Sequence, residues 1–354
     1  MSGRKYQVLG LMSGTSLDGL DIAGCSFENI NNNWNFVVHK AHTLPYPKFW
    51  RKKLSNAHKL DGLSLIEIHK SYGKYLGEKI IEFLKGSSVE YELIASHGHT
   101  IYHQPKKNIT FQIGDGNDIA AETGISTISD FRSLDVALGG QGAPLVPIGD
   151  ELLFNNYEFC LNLGGFSNIS YDYKGQRIAF DLSPANLPIN YLMNSLNKAY
   201  DKDGKTGRTG QINRNLLNTL NGLSFYKQQA PKSLGREWVE KEFIPIIDSY
   251  DLEVKDKLRT VYEHLAIQIS RPIENFRTGK LLITGGGAHN KFLIERIKAH
   301  TKHQVIIPSE EIIDFKEAII FAFLGVLRLR DEVNCLASVT GAKKDNSGGS
   351  MISI

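Results

Sequence analysis

Three times along this chain an apolar, strand-like run breaks off at a glycine-bearing turn: around Gly14, around Gly164 and around Gly285. Glycine lets the backbone take dihedrals that turn consecutive N–H groups outward, so such turns suit phosphate oxygens. One strand–glycine turn is common in proteins that bind nothing. Three, two of them inside similar strand-turn-strand stretches, constrain the chain far more. Residues 7–12 read as a strand, 13–19 as a polar turn and 20–27 as a returning strand. The pattern recurs at 159–163, Gly164-Gly165 and 167–173, with a further strand at 176–180, and suggests a duplicated domain. The third turn, Gly285-Gly286-Gly287, follows a strand at 280–284 and leads into a helix at 290–300, a natural seat for a nucleotide's sugar, base or phosphate. The Gly-x-Lys-Ser signature of P-loop enzymes is absent, and no Gly-x-Gly-x-x-Gly opens the first helix.

Strand-like and helix-like segments alternate throughout, which predicts an α/β class. Residues 63–85 have the apolar spacing of an amphipathic helix. Further helices are expected at 117–124, 252–276 and 315–329, and strands at 92–96 and 126–130. The glycines and prolines of 138–147 predict a loop or an inter-domain crossover, and 201–211 reads as a surface loop. The tail from 340 is polar and glycine-rich. Basic and acidic side chains nearly balance, 41 against 38, which argues against an electrostatically driven nucleic-acid partner. No window approaches a membrane span and the start does not read as a signal peptide, so a cytoplasmic protein is expected. Cys25, Cys160 and Cys335 are too scattered for a disulfide framework and read as buried free thiols.

Several residues carry chemistry. Thr15 and Ser16 add hydroxyl donors to the first turn, and Asp18 could hold a magnesium ion through water. Asp181 follows the strand at 176–180 and precedes Ser183-Pro184-Ala185-Asn186. It suits a general base beside a phosphate, or equally a cap for the helix that follows. Arg132 could grip a carboxylate with its planar fork, or merely pair with Asp135 at the surface. His97, His99 and His103 invite a metal reading, but no Cys or acidic partner lies near them, and hydrogen-bonded loop histidines are expected.

The run Gly10-Leu11-Met12-Ser13-Gly14-Thr15-Ser16-Leu17-Asp18-Gly19-Leu20-Asp21 resembles the opening of the anhydro-N-acetylmuramic acid kinases. Similar to that family, in the same order, are Ser96-His97-Gly98-His99-Thr100, Asp130-Phe131-Arg132 with Asp135, and Gly139-Gly140-Gln141-Gly142-Ala143-Pro144. So are Asn162-Leu163-Gly164-Gly165, Phe180-Asp181, Asp201-Lys202-Asp203-Gly204, Pro231-Lys232-Ser233 with Gly235-Arg236-Glu237, and Gly285-Gly286-Gly287-Ala288. The resemblance implies the sugar kinase, actin and heat-shock ATPase superfamily: two ribonuclease H-like domains with ATP in the cleft between them. Domain I would comprise 1–135 and 315–354, and domain II 136–314. The family hydrolytically opens 1,6-anhydro-N-acetylmuramic acid and phosphorylates it from ATP to N-acetylmuramic acid 6-phosphate, in peptidoglycan recycling. By matching position, Asp181 would be the base. Gly14, Thr15, Ser16, Leu17, Asp18, Gly19, Leu20 and Asp21 would bind ATP, with Asp18 on Mg2+. Gly164 and Gly165 would form the second phosphate loop, and Gly285, Gly286 and Gly287 the adenosine loop. Thr100, Arg132, Asp135 and Glu317 would line the sugar pocket, with Arg132 on the lactyl carboxylate. Family members are often dimers, so a homodimer is among the expectations, with no interface legible in the sequence.

The chain departs from the family pattern near the base. Where relatives follow the Asp with a Gly-Pro-Gly-Asn turn, this chain has Ser183-Pro184-Ala185-Asn186, and Asn190 replaces a common acidic residue. His99 stands for a common Gln and Asp150 for a common His. The competing readings are a kinase for another hexose or amino sugar without ring cleavage, and a non-enzymatic nucleotide-dependent module.

Overall fold

A computed structural model describes residues 4–14 and 17–354. Its strands run Lys5–Ser13 (β1), Gly19–Ile30 (β2), Asn33–Pro45 (β3), Leu93–Gln104 (β4), Ile109–Ile113 (β5), Thr127–Ser129 (β6), Phe159–Leu163 (β7), Phe166–Tyr173 (β8), Gln176–Pro184 (β9), Lys280–Thr284 (β10), Gln304–Ile306 (β11) and Ser350–Ile352 (β12). The chain divides into two compact units, Met1–Phe154 with Phe315–Ile354, and Asn155–Asp314.

In the first unit β1, β2 and β3 form an antiparallel meander, and β4 lies parallel to β1 with β6 parallel to β4. The sheet order is β12-β6-β4-β1-β2-β3, with β5 hairpinned onto β4. The second unit repeats the scheme. β7, β8 and β9 form the meander, and β10 lies parallel to β7 with β11 parallel to β10, in the order β11-β10-β7-β8-β9. The duplication suspected from the hairpins is therefore a duplication of sheet topology. Both units have the mixed α/β order of a ribonuclease H-like fold.

The helix Gly62–Leu84 starts where the Asp61 carboxylate accepts the Ser64 N–H, satisfying one orphan donor of the first turn. Its buried face, Ile68, Tyr72, Leu76, Ile80 and Phe83, joins Leu9, Leu11, Leu20, Ile22 and Ile94 of the sheet. Each such side chain contributes roughly 1.5–3 kcal/mol by leaving water. The helix Glu310–Leu329 is buried along Ala318–Leu324 and crosses β1 so closely that a Cβ on Gly10 would lie 1.9 Å from the Ala318 carbonyl oxygen. The second unit's core gathers Phe159, Leu161, Ile169, Phe243, Val261, Leu265, Leu281, Ile283 and Leu293.

Several expectations shift. The first unit runs to Phe154, whereas the sequence reading assigned 136–154 to the second domain. The cause is packing: Phe154 meets Phe36 edge-on at 5.6 Å, and Asp150 pairs with Lys316 at 2.6 Å. The long helix expected over 252–276 is Val254–Ser270, which gives way to a 3-10 turn at Arg271–Ile273 containing Pro272. The stretch 201–211 is no surface loop. Asp201 is buried and accepts the backbone N–H groups of Thr206 and Gly207 and the Tyr262 hydroxyl. The polar tail carries β12, which pairs with β6. No helix among the described residues is long and apolar enough to cross a membrane.

Candidate active site

The first glycine turn joins β1 to β2. Gly14 is half-buried, Leu17 takes a left-handed φ of 59°, and its N–H reaches the Gly14 carbonyl at 3.3 Å. Thr15 and Ser16 lie outside the described residues. Asp18 is exposed, Gly19 opens β2, and Asp21 accepts the Thr43 hydroxyl at 2.6 Å. Leu20 belongs to the core at 1% exposure, so its side chain is packing and not part of a nucleotide surface. The turn is anchored from below. Ser13 Oγ lies 2.9 Å from His99 Nδ1 and accepts the Tyr46 hydroxyl at 2.8 Å, and Tyr46 meets Tyr72 at 2.5 Å. Burial pushes the His99 imidazole down to about 4, so it is neutral here.

A polar cluster in the same unit gathers most of the expected sugar-pocket residues. Arg132 directs Nε and Nη2 at His97 Nε2, at 3.1 and 2.9 Å, and Nη1 at the Gly142 carbonyl at 2.5 Å. His97 Nδ1 lies 2.9 Å from the Gly98 carbonyl, so that nitrogen carries the proton and Nε2 accepts. Of the five guanidinium N–H groups, one on Nη1 and one on Nη2 are left over by the bonds among the described residues, a fork for a ligand. Burial lowers the Arg132 pKa to about 10, opposed by the charge of Glu317. Glu317 is open to solvent, yet its carboxyl is pushed up by the protein crowding it, with Arg132 pulling the other way. Thr100 is half-buried on β4 and accepts from Gln112 Nε2 at 3.4 Å.

Asp135 corrects the sequence reading. It is 0% exposed and pairs with neither solvent nor Arg132. Its Oδ2 accepts the Gly142 N–H at 2.7 Å, and its Oδ1 accepts from Cys335 Sγ, Thr340 Oγ1 and Asn346 Nδ2 at 3.1, 2.8 and 3.0 Å. It therefore ties the glycine loop, and through Gly142 the Arg132 head, to the C-terminal segment. It is a buried hub rather than a sugar-facing group. The histidine metal reading also fails: among the described residues no group of three or more His, Cys, Asp or Glu is arranged to hold a metal.

In the second unit the Gly164-Gly165 turn closes on the start of helix Asn186–Asn194: the Gly165 carbonyl accepts from Ala185 and the Gly164 carbonyl from Asn186. Gly285 has φ +80°, and a Cβ there would lie 2.5 Å from Asn162 Oδ1, so only glycine fits the turn. Gly287 is buried, while Gly286 is exposed and lines a cavity of 470 Å³. Asn186, Asn190, Asp203, His289 and Asn290 also line it. The volume lies within the roughly 300–1,000 Å³ of small-molecule sites.

Asp181 lies within β9, not after it, so the helix-cap reading is excluded; the helix at Asn186–Asn194 has Ala185 at its cap, with no side-chain bond. The β8–β9 register slips beside it, with Asn168 opposite Asp181 and Ser167 opposite Ser183. Such a bulge re-aims a side chain. The Asp181 N–H is held by the Lys232 carbonyl at 3.0 Å, and its Oδ2 accepts the Leu234 N–H at 2.8 Å. Burial raises its pKa, and that one backbone bond only partly opposes the rise. Lys232 entered the sequence reading only within the Pro231-Lys232-Ser233 resemblance, without a role, and Leu234 not at all.

The model of the family described as anhydro-N-acetylmuramic acid kinase matches residues 6–353. An anhydro-N-acetylmuramic acid kinase from Vibrio cholerae serotype O1 is 34% identical over 95% of this chain and 95% of its own length. One from Coxiella burnetii is 35% identical over 96% and 95%, and one from Aliivibrio fischeri 35% over 96% and 97%. The family model and these relatives match the chain almost from end to end, and the chain belongs to the anhydro-N-acetylmuramic acid kinase family of phosphotransferases.

Proposed function

We propose that this chain opens 1,6-anhydro-N-acetylmuramic acid with water and phosphorylates it from ATP, with Asp181 as the base. Asp181 takes a proton from water as the water oxygen bonds to the anomeric carbon. The bond from that carbon to the bridging oxygen breaks, and its electron pair stays on the oxygen. That oxygen attacks the γ-phosphorus, and ADP leaves. Nucleophile and acceptor are generated in one sequence, so positioning and charge stabilisation carry much of the barrier. The observation that carries the reading is Asp181 itself: a desolvated carboxylate of raised pKa, held by a single backbone N–H on a bulged strand. A carboxylate that binds its proton more tightly than usual is a better base at neutral pH.

The cavity beside Gly286 suits the adenosine, and the turn at Gly14 suits phosphate. Mg2+, when bound, neutralises charge on the transferring phosphoryl group, with Asp18 near it through water. The end-on fork of Arg132 takes the lactyl carboxylate. Thr100 and Glu317 complete the sugar's polar contacts, and Asp135 acts only through Gly142. The reaction draws on cytoplasmic ATP, and gel filtration tests the expected homodimer.

Asp181→Asn lowers kcat by roughly 10²- to 10⁴-fold and leaves ATP affinity intact. Turnover close to that of the native enzyme removes Asp181 from the mechanism. Coupled ADP assays with anhydro and open-ring sugars separate this reaction from that of an ordinary amino-sugar kinase: phosphorylation of the open-ring sugar alone excludes ring opening.

A further inference from the structure

Ser183 lies two residues beyond Asp181 on β9, and its buried side chain is engaged rather than idle. Its hydroxyl lies 3.1 Å from the Tyr226 hydroxyl, Tyr226 lies 2.9 Å from His264 Nε2, and His264 Nδ1 lies 2.7 Å from Asn221 Oδ1. Gln268 Nε2 donates to the same oxygen at 2.7 Å. An amide oxygen only accepts, so His264 carries its proton on Nδ1. The imidazole is 0% exposed and neutral, so Nε2 is bare and Tyr226 must donate to it. The Tyr226 oxygen is then left to accept from Ser183. Every proton in the chain has one place.

The same turn reaches Asp181 from its other side. Tyr226 belongs to the 3-10 turn Ser224–Lys227, and the neighbouring Phe225 carbonyl accepts the Lys232 ammonium at 3.1 Å. Lys232 carries the carbonyl that binds the Asp181 N–H, and Leu234 the N–H that binds its carboxylate. Ser183 is pinned further by its own carbonyl, which accepts Ser167 Oγ at 3.0 Å.

We infer that the chain Ser183–Tyr226–His264–Asn221 is a positioning relay that fixes where β9 presents Asp181. The inference rests on Asp181 being the base. Ser183 and His264 are fully buried, and the relay acts through the strand and the 230–235 loop. The relay is neutral throughout, so it places the base without adding a charge beside it.

The test uses the full-length enzyme with anhydro-N-acetylmuramic acid and ATP. Tyr226→Phe lowers kcat by about 10- to 100-fold, the scale of an ångström of misplacement, and leaves the KM for ATP within about twofold. Ser183→Gly gives a smaller loss, and Ser183→Thr, which keeps the hydroxyl, restores most of it. The Ser183→Gly/Tyr226→Phe double variant is no slower than Tyr226→Phe alone, because both cut one link. Losses that multiply, a Ser183→Gly enzyme of native kcat, or a Ser183→Thr enzyme no better than Ser183→Gly overturns the relay. If Tyr226→Phe does not fold, the Gly and Thr pair at 183 decides the question alone. Asp181→Asn is assayed in parallel: its inactivity beside unaffected relay variants overturns the relay only, whereas its activity overturns the base assignment on which the relay rests.

Discussion

The two units share a sheet order, and a buried carboxylate of each, Asp135 in the first and Asp181 in the second, is held in opposite ways. Asp135 sits at 0% exposure under four donors, and Asp150 and Lys316 pair at 2.6 Å with side chains 5% and 6% exposed. The second unit's chain from Ser183 to Asn221 is neutral, and the carboxylate beside it, Asp181, keeps only one backbone donor. A buried charge survives only when donors crowd around it. Asp135 is crowded and serves architecture. Asp181 is left underbonded, and its proton affinity rises. The contrast teaches that the proton affinity of Asp181 rises from burial that a single donor only partly opposes.

The comparison can be broken first at the ion pair. Lys316→Met leaves Asp150 buried without its cation and destabilises the protein by about 3–5 kcal/mol in urea melts, while Lys316→Met with Asp150→Leu recovers most of the loss. A single variant of unchanged midpoint would mean the pair carries no buried charge. Asp135→Asn removes the charge from the hub and costs on the order of 2 kcal/mol, read the same way. Arg132→Ala raises the sugar KM by about tenfold or more with a smaller change in kcat, the pattern of a lost charge-assisted contact. Equal KM values would return Arg132 to a structural role.

Acid sharpens the contrast. The imidazoles of His99 and His264, lowered to about 4 and about 3, stay neutral when folded, whereas the unfolded chain protonates near 6.5. The unfolded state therefore binds more protons below about pH 6.5, and stability falls from there toward pH 4. His99→Gln flattens that slope in pH-dependent melts. Asp181 runs the other way: its raised pKa means the native state carries a disfavoured charge at neutral pH. Asp181→Asn therefore raises Tm slightly at pH 7, and the gain shrinks as pH falls through the raised pKa. A Tm lowered at pH 7 would contradict the desolvation argument.

The strand–glycine turns and the duplicated hairpin were legible because each rests on local pattern, whereas the local sequence left Asp181 equally a base or a helix cap, and only the family resemblance pointed to the base. The edge strand β3 was not: Asn33–Pro45 is mostly exposed and lacks a clean apolar alternation. Asp201 and Asp135 read as surface acids because charge is visible in sequence and the donors that bury it are not. Two of the three donors to Asp135 Oδ1, Thr340 and Asn346, lie more than two hundred residues away in a tail that looked merely polar. The relay was hidden for the same reason: Ser183 was legible as a departure, but its partner Tyr226 comes 43 residues later.

Cys335 donates to Asp135, and burial with that neighbouring charge pushes its thiol well above the ordinary range. Cys25 and Cys160 are buried as well, the first in the unit of Asp135 and the second in the unit of Asp181. A folded molecule should thus ignore a thiol-reactive dye. Each half carries its own alarm, since labelling at Cys160 would time the opening of one body and labelling at Cys25 or Cys335 that of the other.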